Sequence, residues 1–376
     1  MAVEVFVERC RSYKEGELDK AIFPILQRLT PKLGTRPKIL LKPNILRPAK
    51  PNEAITTHPE FVNSVAKFYR RAYPRAQIFI GESSGCLGLP NTKRALAGYS
   101  KAIRNHRLKV VPFESQKIAK VKNPHGKIWK EVPLPKVLLD ADIVVNLPKL
   151  KTHTLTVFTG AVKNFYGCVP GAIKGKGHAD AISPAKFSSL VLDVFQAVKC
   201  QVHLMDAVVG MEGNGPSNGL PKQTGYILGS KNGVALDAAA LRLAAIPETN
   251  VPTQVEAASR KLLPGYKIVG ELKPVPYKFP SLKKWALLGF LPETMLKFLG
   301  TKLSPFPVNH PFFVHSKCTR CYACKKICPV GAIYLKGKFP EVNRKLCINC
   351  LCCAEQCPYG AIETKGSLLL RLLKMR

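Results

Sequence analysis

Eight cysteines near the end of the chain fall into two runs of the same spacing. Cys318-x2-Cys321-x2-Cys324-x3-Cys328-Pro329 recurs 29 residues on as Cys347-x2-Cys350-x2-Cys353-x3-Cys357-Pro358, and Gly-Ala-Ile closes each run. Thiolates are soft ligands suited to iron–sulfur clusters, and two-residue gaps let successive sulfurs wrap one face of a cubane. Zinc knuckles pair two Cys-x2-Cys units without a middle cysteine or a repeated Cys-Pro. The spacing therefore predicts two [4Fe–4S] clusters. Three close thiolates hold one cluster, and the fourth, before proline, reaches the other. Cys318, Cys321, Cys324 and Cys357 form the first set, and Cys347, Cys350, Cys353 and Cys328 the second. Cys352 is out of register with the repeat. We read it as a packed thiol, with exchange for Cys353 as the other reading.

A second group of chemically capable residues lies earlier, just after β-rich apolar runs. Lys38–Leu41 leads into Lys42-Pro43-Asn44, and Gln77–Ile80 into Gly81-Glu82-Ser83-Ser84-Gly85. Ile143–Val145 leads into Asn146-Leu147-Pro148-Lys149-Leu150-Lys151-Thr152-His153, and Val202–Met205 runs through Asp206 to Gly210-Met211-Glu212-Gly213-Asn214-Gly215-Pro216. Ligands of open α/β sheets bind outside the carboxyl ends of the strands. Lys42, Asn44, Glu82, Lys149, His153, Lys163, Asn164 and Glu212 are accordingly the candidates for one shared site around an anionic ligand. His153 and His178 are residue types that serve as base, acid or metal ligand, or as plain structural histidines. The stretch Gly171-Ala172-Ile173-Lys174-Gly175-Lys176-Gly177-His178 reads either as a phosphate- or carboxylate-neutralising loop or as a solvated one. No G-x-G-x-x-G opens a helix and no G-x-x-x-x-G-K-[ST] occurs, which disfavours standard dinucleotide and P-loop sites.

Helical patterns, such as Pro59–Tyr73 and Phe187–Val198, separate these strands. Strands alternating with helices give an α/β domain with a mainly parallel sheet. We assign it residues 1–270. Seven prolines between Glu271 and Pro311 mark 271–307 as a Pro-rich amphipathic connector. A small α+β domain follows as two cluster-binding repeats, 308–337 and 338–367, and 368–376 is a basic, apolar tail.

The 376 residues carry 58 Lys+Arg against 24 Asp+Glu, a formal charge of +34. Such a balance calls for an anionic partner. The basic residues are spread along the chain without a nucleic-acid motif, so nucleic acid is disfavoured. An acidic redox protein or a small anionic substrate fits better. Ser281–Leu303 and the tail combine Trp, Phe and Leu with basic residues, as an interfacial helix does. That suggests peripheral contact with an anionic membrane, and the other reading is burial at the domain junction. With no signal-like or spanning apolar run, we expect a cytoplasmic protein, in part at the inner face of the membrane.

Two resemblances sharpen this reading. Residues 308–367 resemble bacterial-type two-cluster ferredoxin domains, implying a compact pseudo-twofold fold of two loops, two short helices and small antiparallel strands. Lys42-Pro43-Asn44, Gly81–Gly85, Asn146–His153, Thr159–Asn164 and Met211–Pro216 resemble a family known as domain of unknown function 362. Its members are often fused to such ferredoxin domains. That resemblance implies an active or binding site without a settled reaction. His153 to Lys163 is also similar to a short part of the nickel-dependent lactate racemase family, and no cofactor is carried over from it. The expected function is single-electron relay between two clusters and a substrate or partner on the α/β domain. The alternative is a binding, assembly or sensory module with structural clusters.

Overall fold

The computed structural model describes residues 2–85, 88–280 and 310–365. A ten-stranded sheet forms its centre. From one edge the strands run Tyr266–Val269, Val3–Arg9, Leu220–Ser230, Val202–Glu212, Ile143–Leu147, Lys38–Pro43, Gln77–Glu82 and Lys109–Pro112. Two short strands, Lys149–His153 and Val157–Phe158, branch from Val202–Glu212. Along the main path only Leu220–Ser230 runs antiparallel to its neighbours, so the sheet is mainly parallel.

Period-two alternation distributes the core between two faces. Ile39 and Leu41 pack with Phe61, Val65 and Tyr69 on one side, while Leu40 packs with Phe165, Phe187 and Leu190 on the other. The helix Pro59–Ala72 shows why these residues are helical. His58 caps it, accepting from the Glu60 N–H at 3.2 Å, and proline fills the first position. Glu60 in the first turn and Arg70 and Arg71 in the last complement its dipole.

Three segments differ from their sequence readings. Lys149–His153 is a strand rather than a loop, paired in parallel with Val202–Glu212. Gly171–Asp180 is an α-helix despite its glycines. Tertiary contacts outweigh its poor propensity: Tyr166 Oη donates to the Lys174 carbonyl at 2.7 Å, and His178 stacks on Phe187 at 4.4 Å. Residues 271–280 of the connector lie on the α/β domain, with the Val275 and Tyr277 N–H groups donating to the Leu243 and Ala244 carbonyls. The remainder of the amphipathic stretch, 281–303, and the tail, 368–376, lie outside the described residues. Among the described residues no helix is long and apolar enough to cross a membrane.

The C-terminal domain pairs His310–Phe313 with Ile362–Lys365 and Ile333–Lys336 with Phe339–Val342, both antiparallel. Its short helices, Ala323–Ile327 and Cys352–Glu355, each follow one cysteine loop.

Candidate functional site

A cavity of about 70 Å3 lies at the carboxyl ends of the parallel strands, with room for roughly five waters. Its floor and walls come from the α/β domain: Asn44 after one strand, Glu82 and Ser83 after the next, Lys151 and His153 from the branch strand, and Lys163 and Asn164 from the helix Gly160–Asn164. The C-terminal domain supplies its roof, Ile327, Cys352, Glu355 and Gln356. Two hydrogen bonds fix that roof. Ser217 Oγ donates to the Glu355 carbonyl at 2.6 Å, and Gln356 Nε2 donates to the Leu46 carbonyl at 3.2 Å. Gly85 has positive φ, and a Cβ there would strike the Gln356 amide, so glycine leaves the roof its seat.

Behind the cavity a polar network locks the floor. Lys42 Nζ pairs with the Glu82 carboxylate and reaches the Asn164 Oδ1 at 3.4 Å. Asn44 Nδ2 also donates to Asn164 Oδ1, at 2.9 Å, and Asn164 Nδ2 donates to Asn146 Oδ1 at 2.7 Å. Burial raises the Glu82 carboxyl above its ordinary range, against the opposing pull of the Lys42 and Lys174 ammonium groups. Lys174 Nζ donates to the Ser83 and Gly85 carbonyls.

Lys151, Lys163 and the two imidazoles around the cavity are held toward their neutral forms. Burial, helped by neighbouring cations, lowers Lys151 well below the usual lysine value and also lowers Lys163. His178 is lowered to about 3, again chiefly by burial. His153 is lowered well below its ordinary value by burial and the nearby lysines. Its Nδ1 accepts from the Leu155 and Thr156 N–H groups at 3.1 and 3.4 Å. The proton of the neutral ring therefore sits on Nε2, which faces Glu355 Oε1 at 3.3 Å. With its lone pair taken by the backbone, His153 works here as a fixed hydrogen-bond donor, rather than as a base or metal ligand. Burial raises the Glu355 carboxyl.

Of the eight predicted N-terminal site residues, Asn44, Glu82, His153, Lys163 and Asn164 line the cavity, and Lys42 supports it from behind. Lys149 and Glu212 do not converge with them. Lys149 begins the branch strand, about 13 Å before His153 at 3.3 Å per residue. Its Nζ pairs with Asp206 and takes part in a hydrogen bond with Tyr13 Oη, both at 2.8 Å. Glu212 turns to the connector, accepting from the Lys278 N–H at 2.9 Å. Lys174 and His178 of the glycine-rich stretch also line the cavity, as do residues not singled out beforehand: Lys151, Thr159, Cys352, Glu355 and Gln356. The last three had a signal in the repeat itself, where they replace Ala323, Lys326 and Ile327.

The cysteine loops have a donor set that fits iron–sulfur ligation. Cys318, Cys321, Cys324 and Cys357 line one cavity, and Cys328, Cys347, Cys350 and Cys353 neighbour one another on the other side. The Ala332 and Ala361 N–H groups donate to the Cys328 and Cys357 sulfurs at 3.2 and 3.3 Å, as backbone donors do around a ligating thiolate. Cys352 is buried and lines the strand-end cavity.

A mainly parallel α/β domain whose strand-end cavity is roofed by a two-repeat iron–sulfur domain defines the class of protein. The chain belongs to the family described as domain of unknown function (DUF362), which matches residues 39–242. A 4Fe-4S binding domain matches residues 311–334 and 340–363, giving the chain iron–sulfur electron-transfer capacity. It is 30% identical over 268 residues to the thylakoid-associated protein sll1697 of Synechocystis sp., covering 70% of this chain and 80% of that one. Among solved structures it is similar to the lactate racemase apoprotein from Thermoanaerobacterium thermosaccharolyticum at 14% identity and a TM-score of 0.38. That match covers 58% of this chain, and the chain spans about half of the racemase, 54%.

Proposed function

We propose that this protein passes single electrons between two [4Fe–4S] clusters and a small anionic ligand seated in the strand-end cavity. One observation supports it above the rest: the loop segment Leu351–Cys357, which holds two of the ligand cysteines, is also the part that roofs the cavity. A cluster bound there supplies one-electron chemistry. The chain's own residues do the remainder. An anion seated there favours the charged forms of Lys151, Lys163 and Lys174, His153 Nε2 offers a fixed donor, and the segment Leu351–Cys357 roofs the ligand. At the opposite end Cys321 is exposed, and Arg320, Lys325 and Lys326 stand exposed around it. That rim suits an acidic redox protein as the electron donor or acceptor. Peripheral contact with an anionic membrane through 281–303 and 368–376 remains part of this proposal, and co-sedimentation with anionic liposomes tests it.

The deciding experiment uses anaerobically purified protein reduced with dithionite. A metabolite and acceptor screen with electron paramagnetic resonance should find a small anion that reoxidises the clusters. Clusters that stay reduced with every compound would instead favour a structural or sensory role.

A further inference from the structure

Eight buried side-chain nitrogen or oxygen atoms lack a hydrogen-bond partner among the described residues, and five of them belong to the cavity wall. They are Asn44 Oδ1, His153 Nε2, Thr159 Oγ1, Glu355 Oε1 and Gln356 Oε1. Buried polar atoms are nearly always paired, so a cluster of unpaired ones around a cavity marks a place where a ligand completes the bonding. Their chemistry says which ligand.

Two of them are acceptors whose orientation is fixed. The Asn44 amide donates its nitrogen to Asn164 Oδ1, which leaves Oδ1 to the cavity. The Gln356 amide donates its nitrogen to the Leu46 carbonyl, which likewise leaves Oε1. A ligand must bring hydrogen to both. His153 Nε2 is a donor by the tautomer argument above, and the Lys163 amine, which lines the cavity and pairs with no carboxylate among the described residues, is a second donor that an anion would hold in its charged form. These two ask for anionic oxygen.

We propose that the cavity selects a small oxyanion that carries an O–H group of its own. Lys163 Nζ and His153 Nε2 donate to its anionic oxygens, and Asn44 Oδ1 and Gln356 Oε1 accept from its hydroxyl. An ion of the same size and charge with no hydrogen to give leaves both amide oxygens buried and unpaired, and such sites reject analogues strongly. The inference rests on the cavity being the ligand site proposed above, but it does not require electron transfer.

Isothermal titration of the holoprotein with two matched pairs tests it: phosphate against sulfate, and hydroxymalonate against malonate. The hydrogen-bearing member of at least one pair should bind ten times more tightly or better, and which pair does so tells an inorganic from an organic ligand. Lys163→Gln should weaken both members of the pair alike. Gln356→Met removes the acceptor at similar volume and should reduce the preference below threefold, while Gln356→Glu retains an acceptor and should retain the preference. Equal affinities within both pairs, tighter sulfate or malonate, or no binding of any probe would overturn the proposal. Selective binding with clusters that never reoxidise would uphold it and defeat electron transfer; reoxidation driven only by hydrogen-free ions would do the reverse.

Discussion

Residues 318–328 and 347–357 repeat one backbone in two different surroundings. Arg320 and Asn349 share positive φ, as do Tyr322 and Leu351, and Gly331 and Gly360. For residues other than glycine that conformation costs on the order of 1–2 kcal/mol each, so its retention in both loops reflects what the loops wrap. The side chains that do not ligate then diverge. In the outer loop Lys325 and Lys326 are exposed and Cys321 is open to solvent. In the inner loop the same positions are Ala354 and Glu355, and every residue from Leu351 to Cys357 is buried, Cys352, Cys353, Ala354 and Cys357 in the small domain's own core and Glu355 and Gln356 where the loop meets the α/β domain. The comparison teaches that the repeated cysteine spacing goes with one shared backbone, while three or four other positions decide what each loop touches.

The sharpest way to break this comparison is to change one cysteine on each side of it. Holoprotein should hold about eight iron atoms, as two cubanes require. Cys321→Ser should remove the outer cluster preferentially and leave about half the iron. Cys352→Ser, beside the inner ligands, should leave iron content unchanged. Iron analysis reads both, and iron lost with Cys352→Ser would reassign the inner ligand set.

Acid should act on the α/β domain. His178 and His203 are buried, with values lowered to about 3 by that burial. Unfolded imidazoles take up protons below their ordinary 6.5, while the folded ones stay neutral down to about 3. The stability they contribute is thus present above pH 6.5 and lost as the pH falls toward 3. The cost is roughly 2 kcal/mol per histidine between pH 7 and 5. Urea midpoints across that range should fall, and His178→Asn should flatten the fall. A midpoint independent of pH would show that these rings pay no such penalty.

A smaller effect separates the outer loop. Lys325→Glu with Lys326→Glu should slow reduction by a small acidic electron-carrier protein about tenfold at low salt, and the difference should vanish at high salt. Stopped-flow absorbance reads it, and dithionite reduction serves as the control. Equal rates at low salt would mean that the basic rim steers nothing.

The smallest expected change is at the seat of the roof. Gly85→Ala forces a Cβ into the Gln356 amide at a left-handed position, at a cost of about 1 kcal/mol. Hydrogen exchange in 351–357 should rise a few-fold while exchange in 318–324 stays unchanged. Equal changes in both loops would deny that the Gln356 contact seats the inner one separately on the α/β domain.

Much of this was legible before any coordinates, because some signals are local. Cysteine spacing reports the 4Fe-4S binding domain directly, and apolar runs followed by Lys-Pro-Asn or Gly-Glu-Ser report strand ends. Lys149 was misplaced for a local reason too. Read as a loop, Asn146–His153 could gather all its polar residues at one point, whereas a strand spaces them along its length. The strand Val3–Arg9 and the helix Glu15–Leu29 went unread, their apolar residues mixed with charges. The helix at Gly171–Asp180 depends on Tyr166 and Phe187, which no propensity scale includes. The roof was the hardest to see, because its contacts join segments that share no local pattern.

Gln356 meets Leu46 across 310 positions of chain, and that separation sets an order of manufacture. Strand ends, lysines and His153 are all synthesised before the inner loop leaves the ribosome. Until that loop emerges and folds, the chamber is an open trough. Its completion is therefore a late event in the life of each molecule, and a chain truncated before residue 352 would display the lysines to water with nothing to enclose.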